Sequence, residues 1–407
     1  MIANKLLGVL KHSNSPLLGL NSNVIKACIF ASVKSFTSRS LYSKATLGLE
    51  AFDNQRQTTQ NQMENIIPKF KDKMSEYVTE GSNHMVFTED LKNMIHISNE
   101  DKDLDLVGKM IRKFNQQNKE MRFGSYIFGP VVLRLFHHFN KPHIALECFK
   151  SPELAGFFDQ LISYQILLDL LYENHMYKEV LECVDIIKSR QIDGMKYPKN
   201  IIVLAMAACY KLNTKESLDC ALKMWQEIKE VGHFPMRRAT TFCAGLALNQ
   251  GNPGVALEVL TSARNQHYTT VRNLKVACLA EVGRVENAIP LLKSVMSEDA
   301  PSNVRHTFNK EVIDRVRNAV TKLDNPEVAV EFNRIEQMFL KLGHISDTTL
   351  DEQLCQEIMP PQMMNNRQNS WGNQQQPRFR GQQGEQRTYT NKKYYTFRQR
   401  PGLDELV

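Results

Sequence analysis

The chain of 407 residues has no acidic side chain in its first 44 positions, where six Lys/Arg and eight serines stand. It has no apolar run of about 18 residues, so no segment has the hydropathy of a membrane-spanning helix. None of its eight cysteines forms a Cys-x-x-Cys pair, which removes the common zinc and dithiol patterns. No glycine-rich loop ends in Gly-Lys-Ser/Thr and no Gly-x-Ser-x-Gly occurs, so P-loop and α/β-hydrolase chemistry lack their motifs. Alternating apolar and polar residues never run long enough for a convincing strand. These absences point to an all-α, non-catalytic chain without a cofactor or a small-molecule substrate.

A repeat of helix pairs is what the chain does contain. The clearest copy is Arg272–Met296, "RNLKVACLAEVGRVENAIPLLKSVM", in which Gly283 turns the chain between two helices. Asn174, Asn213 and Gly251 hold the same place in other copies, and Ala221, Ala256 and Ala288 supply a small residue inside three of the second helices. Large apolar residues follow them: Leu222 and Trp225, Leu257 and Leu260, Ile289 and Leu292. Matching positions near Ile127, Ile162, Asn200, Arg238 and Thr270 are 35, 38, 38 and 32 residues apart. Two short helices and two turns need about that length. One such hairpin cannot bury its apolar face alone, so copies stack into a shared core. About seven pairs are expected, the first at Phe87–Ile97 and Leu104–Phe114, the last at Glu311–Leu323 and Pro326–Leu342.

The segment "EVGRVENAIPLL" resembles the middle of a pentatricopeptide repeat, and "EIKEVGHFP" (Glu227–Pro235) resembles the end of one. "RFGSYIFGPVVLRL" (Arg122–Leu135) and "AACYKLNTKES" (Ala207–Ser217) are similar to stretches of an animal mitochondrial branch of that family, and the resemblance spans about residues 85–357. The fold it implies is an α-solenoid of stacked helical hairpins whose first helices line a concave groove. Solenoids of this kind read single-stranded RNA, one base per repeat.

The two ends differ from the middle. Residues 1–44 have the composition of a mitochondrial transit peptide, with "SRSLYS" around Arg39 as the place of removal. Residues 45–82 read as a polar linker with one helix, Lys69–Thr79; residues 83–160 as N-terminal hairpins; 161–297 as the repeats; 298–357 as capping helices. Residues 358–407, rich in Gln, Asn and Arg, hold too little apolar surface to offset the entropy of ordering and read as a disordered basic tail. The chain's net charge of +7 splits into +6 on the leader, +5 on the tail and −4 on the body between them. The cysteines at helix positions read as buried free thiols of a reducing compartment.

Two constellations fall away. Asp101, Asp103 and Asp105 alternate like the start of a calcium loop, but its Gly and Glu are missing. His137, His138, His143 and Cys148 match no tetrahedral zinc spacing. In the repeats, first helices and their leading residues carry Lys199, Lys211, Arg237, Arg238, Arg272 and Lys275 against Asp169, Glu173 and Glu281. The resemblance maps an early base reader onto Pro130, Gln165, Val203, Thr241 and Asn273, and a second reader near Pro198, Met236 and Tyr268. The groove candidates are therefore Gln165, Arg237, Arg238, Thr241, Tyr268, Arg272, Asn273 and Lys275. The tail adds Arg378, Phe379, Arg380, Tyr394, Tyr395 and Arg398, where cations alternate with rings that can stack on bases. The expected function is a mitochondrial matrix RNA-binding factor in RNA maturation and respiratory-chain function, with single-stranded RNA and RNA-processing or ribosomal proteins as partners. The alternative is a protein-binding scaffold on a mitochondrial ribosome or an assembly intermediate, which the −4 body and the apolar reader positions Pro130 and Val203 favour.

Overall fold

A computed structural model describes residues 40–79, 81–121, 126–297 and 306–359. The described part is almost wholly helical. Three helices, α1 (Lys44–Leu47), α2 (Leu49–Met63) and α3 (Ile67–Tyr77), precede the array. Seven hairpins follow: α4 (Thr88–Ile97) with α5 (Asp101–Met121), α6 (Gly129–His138) with α7 (Pro142–Lys150), and α8 (Leu161–Glu173) with α9 (Tyr177–Arg190). Next come α10 (Lys199–Leu212) with α11 (Lys215–Glu230), α12 (Arg237–Asn249) with α13 (Pro253–Thr261), and α14 (Thr269–Glu281) with α15 (Val285–Ser297). The last pair is α16 (Lys310–Leu323) with α17 (Pro326–Leu342), and a short α18 (Leu350–Leu354) ends the described chain. No helix among the described residues is long and apolar enough to cross a membrane.

The first helices α6, α8, α10, α12 and α14 pack side by side as one inner layer, continued by α16. This sandwiched position explains their composition. Ten consecutive residues of α10, Ile201–Tyr210, are buried, and so are Thr270–Asn273 and Val276–Ala280 of α14. The second helices lie outside and bury one stripe each; in α11 it is Leu218, Ala221, Met224, Trp225 and Ile228. The small residue seen in three of the copies is that stripe's contact point: Ala221, Ala256 and Ala288 are fully buried. The turns use left-handed backbone at Asn140, Asn213, Gly251 and Gly283, and in the third hairpin at His175 rather than the expected Asn174. Turn side chains also tie neighbouring copies together. Asn174 Nδ2 donates to Asn140 Oδ1 at 2.6 Å, and Gln250 Nε2 donates to Asn213 O and Oδ1, each at 2.8 Å.

The N-terminal region is more ordered than its composition implies. Residues 45–82, expected as a linker with one helix, contain α2 as well, and α3 starts at Ile67 rather than Lys69. The buried face of α2 is Leu49, Phe52, Arg56 and Thr59. The spacing is helical, but two of the four residues are polar, so no apolar stripe is visible. Arg56 directs its charge to the end of α4, donating to Ile95 O at 3.2 Å and Ser98 O at 2.6 Å. Asp103 holds the start of α5, accepting from the N–H groups of Asn99 and Glu100 and from Lys71. Burial opposes ionisation there, but Lys71 and the two N–H groups outweigh it and keep the carboxyl below its usual range. The aspartates at 101–105 thus serve a helix start, as expected.

The described cysteines are free, and all except half-exposed Cys220 are buried. Against the expectation of no strand, Phe308–Asn309 (β1) pairs in parallel with Ile345–Ser346 (β2), and Tyr42 bridges Ile358. Both pairings involve segments laid against the inner layer.

Candidate nucleic-acid interface

The inner face of the repeats, the expected bed for a strand, is covered by the chain's own ends. On the N-terminal side, residues 40–47 form a strap across α8 and α10. Tyr42 N–H donates to Asp169 Oδ1 at 3.2 Å, Ser40 Oγ lies 3.1 Å from Asp169 Oδ2, and the Tyr42 hydroxyl reaches Asn200 O at 3.4 Å. Leu41, Tyr42 and Ser43 are buried, although composition assigns residues 1–44 to the leader. On the C-terminal side, α18 and the residues after it form a hook packed on α12 and α14. Lys211 Nζ grips Asp351 at 2.9 Å and 3.0 Å, and Arg238 donates to Leu354 O at 2.6 Å and Gln356 O at 2.8 Å. Gly245 of α12 gives the hook room: a Cβ there would stand 2.9 Å from Leu354 Cδ1. Strap and hook join edge to edge through Ser43 N–H to Ile358 O and Ile358 N–H to Leu41 O. A tail beginning at 358 would cut this junction, so the packed chain runs at least to Met359.

The candidate residues are placed accordingly. Gln165, Thr241, Arg272 and Asn273 are buried. Gln165 Oε1 accepts from Asn200 Nδ2 at 2.9 Å. Thr241 Oγ1 donates within its own helix to Arg238 O at 3.0 Å. Asn273 anchors β1, accepting from Asn309 N–H at 2.9 Å and donating to Thr307 O at 3.2 Å. Arg272 lies 3.1 Å from His267 Nδ1, and half-buried Lys275 donates to Gln266 Oε1 at 3.4 Å. Burial pulls the Arg238 guanidinium below its usual range, with Tyr268 opposing. The structure therefore brings Arg238, Arg272, Asn273 and Lys275 into internal contacts and leaves Arg237 and Tyr268 at the edge. The tail candidates lie outside the described residues.

That edge carries a feature the reader positions do not reveal. Arg237 stacks on the Tyr268 ring with its guanidinium 3.4 Å from the centroid, and Arg264 stacks on Phe234 at 4.2 Å. Phe234 is 65 % exposed. Both pairs join the loop and first residue of α12 to the loop that leads into α14. A cation or histidine followed by an aromatic recurs before α10, α12 and α14: Lys196-Tyr197, His233-Phe234 and His267-Tyr268. Two of these rings reach the surface, while Tyr197 turns inward and donates to Glu227 at 2.6 Å. The recurring dipeptide is the signal that sequence offers for Phe234 and Tyr268; Arg264 lies outside it, three residues before His267.

Known proteins place the fold in a family. No family model matches the chain. The human pentatricopeptide repeat-containing protein 2, mitochondrial, is 30% identical over 274 residues, covering 67% of this chain and 69% of its own length. The protein of that name from Danio rerio is 28% identical over 323 residues, covering 78% and 81%, and that from Xenopus laevis 28% over 275 residues, covering 67% and 70%. The seven stacked hairpins and this similarity agree: the chain belongs to the mitochondrial pentatricopeptide repeat-containing protein 2 family.

Proposed function

We propose that this chain is a non-catalytic RNA-binding factor of the mitochondrial matrix, acting in RNA maturation and so in respiratory-chain function. Single strands meet it at the rim of the inter-repeat loops, with the basic tail adding contacts. The observation that carries the reading is the pair of cation-capped rings, Arg237 on Tyr268 and Arg264 on Phe234, standing at successive loops. A guanidinium over a ring offers a flat face for a base and a charge for the neighbouring phosphate. Such contacts are tolerant of sequence, which fits a surface whose expected base readers Thr241 and Asn273 are engaged inside the fold.

The test is a salt titration of binding to a labelled single-stranded oligonucleotide. Replacing Arg237 and Arg264 by Ala should weaken binding and reduce the logarithmic salt slope by roughly 0.7 for each phosphate no longer bound. Phe234→Ala should weaken binding by about tenfold or more with the slope unchanged, because stacking is worth about 1–3 kcal/mol per base. Parent-like binding by both variants removes the rim from the account. The protein-scaffold reading then gains, and it has its own support. The inner face is filled, and Val330 and Leu340 stand 70 % and 66 % exposed on α17. Crosslinking in mitochondria that recovers only protein neighbours favours that second reading.

A further inference from the structure

Beneath the strap, three ligand-type side chains from two helices converge. Asp169 and Glu173 are four residues apart on α8 and so share a face. His137 comes from the last turn of the neighbouring α6. Its Nε2 is 3.6 Å from Asp169 Oδ2 and 3.6 Å from Glu173 Oε2. The His137 side chain is only 9 % exposed and Asp169 is fully buried. Nε2 has no hydrogen-bond partner among the described residues. An unpartnered, buried imidazole nitrogen midway between two carboxylates requires an explanation.

Distance supplies one. At 3.6 Å the nitrogen is too far from either oxygen for a hydrogen bond, and an imidazolium would close on one of them to about 2.7–2.9 Å. Ligands bound tetrahedrally at about 2.0–2.2 Å stand roughly 3.3–3.6 Å from one another, which both Nε2–oxygen distances match, and the three ligand atoms all lie within 4.8 Å of one another. The charge also fits, since buried Asp169 and partly buried Glu173 bring two carboxylates to one imidazole and favour a cation between them. Asp169 is already oriented as a ligand would be, with the Tyr42 N–H fixing its other oxygen at 3.2 Å. A cavity of about 280 Å³, bordered by Lys44, Asp53, His137, His138 and Glu173, leads to the cluster and leaves room for a water.

We propose that His137, Asp169 and Glu173 bind a divalent first-row transition ion, zinc being the best match to one imidazole and two carboxylates, with water in the fourth position. The ion serves as a clasp. It joins α6 to α8 and, through Asp169, fixes the strap at Ser40 and Tyr42 to the inner face. This set differs from the sequence neighbours of His137, namely His138, His143 and Cys148. His138 instead pairs with Asp53 at 2.8 Å, and Cys148 is buried elsewhere in the core.

The experiment uses the full chain, stripped with a chelator and titrated with Co²⁺ and then Zn²⁺. One equivalent of Co²⁺ is expected, with visible bands of low-symmetry coordination that Zn²⁺ displaces. The melting temperature should rise with free metal. His137→Gln and Glu173→Gln should each weaken binding by about 100-fold or more. Their circular dichroism spectra separate loss of the site from loss of fold; if one variant unfolds, the other carries the test. Binding weaker than about 10 μM in the parent overturns the proposal, as does equal affinity in both folded variants. In either case the cluster is an ordinary histidine–carboxylate group and any metal seen is adventitious.

Discussion

His96 illustrates what one buried side chain does to the whole array. It is 4 % exposed on α4, with its ring 5.3 Å from that of Phe52. Burial first, then the charges of Arg56 and Lys92, push its imidazole down to about 4. The unfolded chain binds that proton near pH 6.5, the folded chain only near 4. Stability from this group is therefore complete above about 6.5 and falls as the pH drops toward 4, by at most about 3 kcal/mol. Melting temperatures between pH 7 and 4 should fall more steeply for the parent than for His96→Phe; parallel curves would refute the assignment. Residue identity alone is equally ambiguous at the reader positions. Thr241 and Asn273 have the side chains a base reader needs and the right spacing. Their partners, Arg238 O and Asn309 N–H, become visible only when the chain is folded.

At the scale of elements, three arginines perform one task. Arg56 closes the end of α4, Arg134 donates to Leu47 O at the end of α1 at 2.8 Å, and Arg238 closes α18. Each places a cation on carbonyls that a helix end leaves unpaired. Arg134 holds the strap and Arg238 the hook, so Arg238, a cation expected to line a groove for RNA, instead keeps it covered, as Lys211 does through Asp351. Arg238→Ala should lower stability by about 2–3 kcal/mol, the worth of hydrogen bonds to a charged group. Urea denaturation measures the loss, and amide exchange should speed up at 350–358 while α10 stays protected. Undiminished protection of the hook would show that its apolar contacts suffice. The strap allows a second prediction. A chain starting at 45 loses the burial of Leu41 and Tyr42, worth about 3–6 kcal/mol by area, whereas one starting at 40 keeps it. The first should melt well below the second; equal melting would mean that the strap adds nothing.

For the molecule as a whole, charge is divided by region. Residues 45–357 carry a net −4 and residues 358–407, the tail, a net +5. Nonspecific affinity for a polyanion should therefore reside mainly in the tail, with the rim adding local stacking. Removing residues 361–407 should reduce single-strand affinity and its salt dependence while leaving the melting temperature unchanged. The cut must fall after Met359, because Ile358 pairs with Leu41 and Ser43. A lowered melting temperature would mean that the tail packs on the array.

The sequence by itself determined the class and the repeat. Stacked hairpins need apolar residues at 3.6 spacing, a small residue at each contact and a turn residue between helices. Those are local requirements, written in three successive copies at Asn213 and Ala221, Gly251 and Ala256, and Gly283 and Ala288. Only the tertiary structure decided what occupies the inner face. Leu41, Tyr42, Leu354 and Ile358 are separated from α8, α10 and α12 by more than 100 residues, and no period links them. Nor does spacing along the chain bring His137 to Asp169 and Glu173. A polar side chain on an inner helix has the same local signature whether it faces a bound strand or the chain's own end. Only the path of the ends through space distinguishes the two.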